Sequence, residues 1–193
     1  MTDLVYPVGM PACMIHRPGP DDDVRLSEIL PVVEPSGLVT GRALRQWCHS
    51  GEKPLHPVVH LHILNRSGEL YIQKRSMTKK LLPGRWDTAV GGHVGYGESI
   101  LEALFRESEE ELAFTDFNPV HLETYVFESE IERELVYVFA AVGDFVLRPN
   151  PDEVDEGRWW FFESIDADLS KSIFTPNFEM EFQKVRHSLE SLL

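Results

Sequence analysis

The chain has 193 residues, in which 18 Lys and Arg face 32 Asp and Glu, for a formal net charge of −14. So acidic a chain is poorly suited to binding a nucleic acid polymer, because affinity for a phosphate backbone depends mainly on Lys and Arg. A hydrophobic content of 42% provides for a packed core and excludes a largely disordered chain, while every apolar run stops well short of the ~18–20 residues that cross a bilayer.

Two regions differ in character along the chain. Residues 1–26 are rich in Pro, Gly and Asp and show little periodicity, which predicts an N-terminal extension, and residues 27–193 are expected to form a single domain. Because no signal peptide opens the sequence, we expect a cytoplasmic protein. The two cysteines are too few for a disulfide framework or a Cys-based zinc site.

The first half of the domain is predicted to contain two strand pairs. Alternating apolar residues on either side of turn-forming segments are typical of hairpins. The predicted elements are strands Ile29–Val33 and Leu38–Thr40, a short helix Ala43–His49, strands Val58–Leu64 and Glu69–Lys74, and a short strand Trp86–Val90.

A longer helix is predicted to begin after Ser99, because Ser99 and Glu102 have the spacing of a capping box. Its apolar face is expected to contain Leu101, Leu104, Phe105, Ser108 and Leu112. Strands Thr124–Glu128, Leu135–Ala141 and Arg158–Phe162 and a helix over residues 177–192 complete the predicted elements. Paired strands separated by two substantial helices predict an α/β fold with a mixed sheet.

Three carboxylates share one face of the predicted helix. Glu107, Glu110 and Glu111 are three and four residues apart, a spacing at which like charges repel. Clustered carboxylate oxygens are the ligands that hard cations such as Mg²⁺ and Mn²⁺ prefer. A solvated acidic face is the alternative that these three residues by themselves leave open.

The surrounding residues favour the metal site. From Gly92 the chain reads G-x5-E-x7-R-E-x2-E-E, which resembles the Nudix box. Ser108 and Ala113 depart from the box at an aliphatic position and at its late glycine, and neither change removes a charged group. The resemblance implies a Nudix-type α/β/α sandwich with a mixed β-sheet and a dependence on Mg²⁺ or Mn²⁺.

The resemblance also assigns roles to the residues of the box. It implies that Glu107, Glu110 and Glu111 bind the cation together with the backbone carbonyl of Gly91. It further implies that Glu98 pairs with Arg106 and holds the loop against the helix.

The segment from Leu55 to Ser99 resembles the Nudix branch that includes isopentenyl-diphosphate isomerases. That likeness implies a second metal site and a cationic grip on a diphosphate by Arg75 and Lys79. The implied ligands of the second site are His49, His56, His93, Glu132 and Glu134. Without the resemblance, these residues would be interpreted as strand-edge, sheet-surface and exposed charged positions.

Other charged and titratable residues are interpreted as structural. His60 and His62 point to the same sheet face, two residues apart, and we expect a structural role for them. The acids from Asp152 to Glu156 are interpreted as a solvated loop.

One difference from the isomerases favours another reaction. Gly91 stands where they have a catalytic cysteine, and glycine cannot move a proton. We therefore expect a hydrolase of a small-molecule diphosphate, with Glu111 or Glu134 as the general base. An isomerase-like activity and a non-catalytic ligand-binding domain are the alternatives, and a homodimer is left open.

Overall fold

The computed structural model describes residues 28–79 and 81–193, so the predicted N-terminal extension lies outside the described residues. The strands are β1 (Ile29–Val33), β2 (Val39–Leu44), β3 (His56–Leu64), β4 (Glu69–Arg75), β5 (Trp86–Asp87), β6 (Val90–His93), β7 (Val120–Glu128), β8 (Arg133–Val142) and β9 (Val154–Phe161). The helices are α1 (Arg45–Cys48), α2 (Ile100–Leu112), α3 (Phe162–Asp168) and α4 (Pro176–Glu190). These elements confirm the predicted α/β class.

The strands form two sheets. β1 and β2 pair as an antiparallel hairpin, and the other seven strands form a sheet with the order β5-β4-β3-β8-β7, in which β6 also pairs with β3 and β9 with β4. Within the described residues, no helix is both long and apolar enough to cross a membrane.

The chain divides into two compact units. The first unit contains the described residues up to Val58, with His93–Ile100 and Tyr125–Val136. The second unit contains Val59–Gly92, Leu101–Thr124 and Tyr137–Leu193.

The β1–β2 hairpin is the main element of the first unit. Its turn lies at the predicted Glu34–Gly37 segment, where Gly37 adopts a positive φ of 83° and donates its N–H to the carbonyl of Glu34. The hairpin packs on a small core of Leu30, Ala43 and Cys48. Ala43 belongs to β2. The helix predicted over Ala43–His49 is therefore shorter than expected and spans only α1.

In the second unit, β4 is the central paired strand. It pairs antiparallel with β5 and with β9, and its turn from β3 is the predicted segment at residues 65–68. α4 begins one residue before the predicted start, because Thr175 accepts the N–H of Phe178 as an N-cap. α4 buries Phe178, Phe182, Val185 and Leu189, and it also buries the acidic side chain of Glu181.

Helix α2 was predicted correctly in position but not entirely in its buried face. Ala103, Leu104, Ser108, Glu111 and Leu112 are buried, whereas Leu101 is 48% exposed. The hydroxyl of Ser108 donates to the carbonyl of Leu104 (2.7 Å), so the polar residue in the apolar stripe has a buried partner. α3 was not predicted from the sequence.

Candidate functional site

The three glutamates of α2 differ in exposure, although they are close in sequence. The side chain of Glu110 is 58% exposed, that of Glu107 is 13% exposed, and Glu111 is buried. A helical turn brings them onto neighbouring positions, so the predicted carboxylate cluster runs from the surface of the second unit into its interior. We call Glu107, Glu110 and Glu111 the carboxylate centre.

Gly92 allows Glu107 to adopt its position. A Cβ atom at residue 92 would overlap the carboxyl group of Glu107, which lies directly against the glycine backbone. The glycine that opens the motif is therefore required by a close approach, and the G-x5-E-x7-R-E spacing joins strand β6 to helix α2 at that contact.

Glu111 is held by two donors in the second unit. The side-chain amide of Gln73 donates to its Oε2 (2.8 Å), and the backbone N–H of Gly91 donates to the same carboxyl group. Burial raises the pKa of Glu111 to about 8; the bond from Gln73 opposes this shift, and the nearby charge of Glu107 adds to it. A cation at this position would lower the pKa of Glu111 and favour the ionised carboxylate, so the donor set fits a divalent metal.

Arg106 and Glu98 each contact polar groups of the motif. Arg106 Nη1 donates to Glu107 Oε1 (2.7 Å) and lies 3.5 Å from Glu110 Oε2. Glu98 Oε2 accepts the backbone N–H of Gly95 (2.8 Å). The pairing of Glu98 with Arg106 stays a prediction.

The two basic residues assigned to diphosphate binding both contact acids. Arg75 Nη1 lies 3.1 Å from Asp87 Oδ2, and Lys79 pairs with Glu153. The charge of Lys79 also lowers the pKa of Glu111, which associates this lysine with the carboxylate centre. Their role in substrate binding stays a prediction.

Sequence reasoning missed three partners in this unit. Gln73 and Asp87 were not singled out, and Glu153 was assigned to a solvated loop although its side chain is only 11% exposed. No short-range signal identifies them, because Gln73 is 38 residues from Glu111 and Lys79 is 74 residues from Glu153.

The first unit brings together three of the predicted histidines. One ring nitrogen from each of His49, His56 and His93 lies within 4.8 Å of those of the other two. His49 Nε2 and His93 Nε2 are 3.0 Å apart, and the rings of His56 and His93 stack with centroids 5.3 Å apart. We call these three residues the histidine centre.

His56 shows that the histidine centre fits a metal ion. Its Nδ1 donates to the carbonyl of Pro54 (2.9 Å), whereas its Nε2 is buried without a hydrogen-bond partner. Burial lowers the pKa of His56 to about 4, so the imidazole is neutral at pH 7. A neutral imidazole fixed by a backbone carbonyl, with the lone pair of its other nitrogen unsatisfied, has the properties of a metal ligand.

The two glutamates predicted to complete this site have different surroundings. Glu132 Oε2 lies 2.7 Å from His49 Nδ1, the nitrogen on the other side of the ring from the one that approaches His93. A carboxylate beside one ring nitrogen can orient the imidazole of a metal-binding histidine, and the role of Glu132 at the second metal site stays a prediction. Glu134 is a buried residue of β8, and its role as ligand or base stays a prediction.

The chain is similar to a known domain family and to individual curated proteins. Residues 54–178 match the NUDIX domain family. An isopentenyl-diphosphate Delta-isomerase of Salmonella arizonae is 33% identical over 143 residues, which cover 71% of this chain and 76% of that protein. One from Corynebacterium efficiens is 32% identical over 166 residues, covering 77% of this chain and 85% of that protein.

Solved structures show the same fold. A protein of Deinococcus radiodurans superposes with a TM-score of 0.70 at 25% identity and covers 82% of this chain and 99% of its own. The MutT protein of Methanosarcina mazei superposes with a TM-score of 0.62 at 26% identity and covers 71% of this chain and 96% of its own. The chain therefore belongs to the NUDIX family, and it is similar to isopentenyl-diphosphate isomerases.

Proposed function

We propose that this protein is a divalent-metal-dependent hydrolase that cleaves the diphosphate linkage of a nucleoside diphosphate derivative or a related small molecule. The observation that carries the proposal is the carboxylate centre, in which Glu107 lies against Gly92 and Glu111 is held by Gln73 and Gly91. Membership of the NUDIX family and the likeness to a MutT protein support the same reaction class.

In this proposal, residues of the second unit bind the metal ion and position its ligands. Glu107, Glu110 and Glu111 would hold Mg²⁺ or Mn²⁺, with the Gly91 carbonyl as a further ligand. When bound, such a cation neutralises charge on phosphate oxygens and lowers the pKa of a coordinated water. Gln73 keeps Glu111 in one orientation, so that the carboxyl group need not reorganise when a cation binds.

Arg75 and Lys79 would bind the diphosphate. Both side chains are less than a third exposed, and each is already held by an acid, Asp87 or Glu153. Cationic groups fixed in this way are suited to phosphate oxygens, since little side-chain entropy remains to be lost on binding.

The test is a screen for diphosphate cleavage. ADP-ribose, UDP-glucose and isopentenyl diphosphate are incubated with the protein and Mn²⁺ or Mg²⁺, and phosphate-containing products are followed by ³¹P NMR. We expect cleavage of at least one nucleoside diphosphate derivative, lost in Glu110→Gln and retained in Glu109→Gln, an exposed neighbour on the same helix. Equal activity of the two variants would refute the assignment of the carboxylate centre.

The histidine centre favours one second candidate, isomerisation of an isoprenoid diphosphate. The named isomerases among the relatives, together with the three gathered histidines, support it, whereas Gly91 argues against it. Incubation with isopentenyl diphosphate in deuterated water separates the two reactions, because isomerisation incorporates deuterium without releasing phosphate.

A further inference from the structure

One buried amide beside the carboxylate centre has only half of its hydrogen-bonding capacity in use. Gln73 of β4 is 8% exposed, and its Nε2 donates to Glu111 Oε2 at 2.8 Å. Its carbonyl oxygen, Oε1, is also buried and has no hydrogen-bond partner among the residues that the structure describes. A buried acceptor without a donor is destabilising, so this atom calls for a functional explanation.

The contact with Glu111 fixes which way the amide of Gln73 is turned. When a cation is bound, Glu111 is an ionised carboxylate, which accepts hydrogen bonds and cannot donate them. The amide nitrogen must therefore face Glu111, because turning the amide over would place two acceptors against each other. The carbonyl oxygen is left to accept from another group.

The neighbours of Gln73 in the sheet do not supply the missing donor. Gln73 lies opposite Asp87 of β5 and opposite Gly157 of β9. The carboxylate of Asp87 pairs with Arg75 and can only accept, and glycine has no side chain. We therefore expect the donor for Oε1 to arrive with a bound molecule.

Water is the donor that fits this place best. A cation held by the carboxylate centre keeps water molecules in its remaining positions and polarises them, which makes them strong hydrogen-bond donors. Direct contact between Oε1 and the ion is less favourable, because the N–H end of the same amide points at Glu111 and would repel an ion that touches both residues. Groups that support a metal ligand in this way commonly contact the waters around the ion.

We propose that Gln73 Oε1 accepts a hydrogen bond from a water molecule held in the carboxylate centre and so positions that water for hydrolysis. Gln73 is then a positioning residue with two roles, since its N–H orients Glu111 and its carbonyl oxygen orients the water. It takes no proton from the water, because a neutral amide oxygen is too weak a base. This inference rests on the proposed hydrolase function.

The test compares two substitutions at residue 73, with Mn²⁺ as the probe. Gln73→Leu removes both polar atoms, whereas Gln73→Glu keeps an acceptor in the place of Oε1 but cannot donate to an ionised Glu111. Both are made in the His93→Gln background, which removes one nitrogen ligand from the histidine centre so that the signal comes from the carboxylate centre. Relaxation of water protons by bound Mn²⁺, measured at several magnetic fields, gives the number of exchanging waters and their mean residence time.

In Gln73→Leu we expect the number of waters to stay the same and the residence time to fall by about threefold to tenfold, the factor that one lost hydrogen bond implies. In Gln73→Glu the residence time should stay at or above that of the parent protein. An equal fall in both variants would assign the effect to the lost contact with Glu111. One additional water in Gln73→Leu would make Oε1 a ligand of the ion itself. Either of these results, or an unchanged residence time in Gln73→Leu, would overturn the inference.

Turnover is the second readout. On whichever of ADP-ribose, UDP-glucose or isopentenyl diphosphate the wild type cleaves with Mn²⁺, Gln73→Leu should lower kcat by about 10–100-fold and change KM by less than about threefold. Gln183→Leu makes the same change at an exposed position of α4 and is the control. It should leave kcat, KM and the relaxation unchanged, and an equal loss of kcat in this control would contradict the inference.

Failure of the proposed function gives a different result. A chain that binds Mn²⁺ in the carboxylate centre but cleaves none of the three compounds would refute the hydrolase assignment, while the relaxation still shows whether Gln73 holds a water. Should Gln73→Leu fail to fold, Gln73→Met replaces it, because methionine has nearly the length and shape of glutamine without the amide. The same changes in residence time and kcat are expected, and wild-type values in Gln73→Met would overturn the inference.

Discussion

Glu111 and Glu181 are both buried glutamates of the second unit, yet their pKa values shift in opposite directions. Burial raises the pKa of Glu111 to about 8, since its donors are uncharged amides and Glu107 is its neighbour. Around Glu181, two imidazoles donate to the carboxylate and reverse the effect of burial. The groups around a buried carboxyl thus determine whether its pKa is raised, as in Glu111, or lowered, as in Glu181.

The lowered pKa of Glu181 predicts a pH-dependent stability. Its contribution is complete above the unfolded-state value of 4.5 and is lost as the pH falls from there toward the folded-state pKa, because the unfolded chain then binds the proton more readily. Glu181→Gln should lower the free energy of unfolding at pH 7 by about 3–5 kcal/mol. In urea titrations, the difference from wild type should narrow below pH 4.5.

Glu163→Gln, at an exposed position, is the control for this titration series. Its free energy of unfolding should stay close to that of the wild type at every pH. A Glu181→Gln difference that stays constant down to acid pH would contradict the assigned pKa direction.

Gly92 provides a second prediction about a single residue. In Gly92→Ala the new methyl group would displace the Glu107 carboxyl group, which now occupies that space. We expect Mn²⁺ affinity or diphosphate turnover to fall by about 10–100-fold, the usual cost of disturbing a ligand's support. The measurement is calorimetric titration at a temperature where circular dichroism shows a folded variant, and unchanged Mn²⁺ affinity would contradict the contact.

At the level of elements, helix α2 is followed by a residue whose backbone conformation is unfavourable for its type. Ala113 follows the last turn at a φ of +48°, and its N–H donates to the Glu109 carbonyl. This is the position at which the Nudix box has glycine, and the backbone keeps the conformation that glycine favours.

Ala113→Gly should therefore stabilise the protein. The left-handed conformation costs alanine about 1–2 kcal/mol, which exceeds the entropic cost of glycine, about 0.5–1 kcal/mol. We expect a gain of about 0.5–1 kcal/mol, or about 1–4 °C in melting temperature. Ala167→Gly, at an exposed position inside α3, should have the opposite effect, and two changes of the same sign would contradict the explanation.

At the level of the whole molecule, a strongly acidic chain contains two chemically different clusters of side chains that are suited to binding metal ions. The histidine centre belongs to the first unit and the carboxylate centre to the second. A net charge of −14 attracts cations generally, so specific sites must be distinguished from this background.

Manganese titration should reveal two classes of site. We expect His93→Gln to remove one class and Glu110→Gln the other, while Glu109→Gln keeps both. At a Mn²⁺ concentration about 100-fold above the dissociation constant, each site should add about 2.7 kcal/mol to folding stability, and EDTA should reverse the gain. Loss of both classes in one variant would show that the centres are not independent.

Sequence patterns determined those parts of this protein that depend on short separations along the chain. Turn chemistry and helical periodicity act over spacings of a few residues. They were sufficient to predict the hairpin turn at residues 34–37, the helix with its three glutamates, and the glycine before that helix. All five predicted ligands of the second metal site came from the resemblance, and the structure brings the three histidines among them together.

Only the tertiary structure decided which side chains support these residues. Glu181 meets His62 across 119 positions, and Glu111 meets Gln73 across 38, so no local pattern connects them. Whether a carboxylate is buried, and which donors surround it, depends on packing between distant segments, and that packing sets the pKa values and the tautomers on which chemistry at these residues depends.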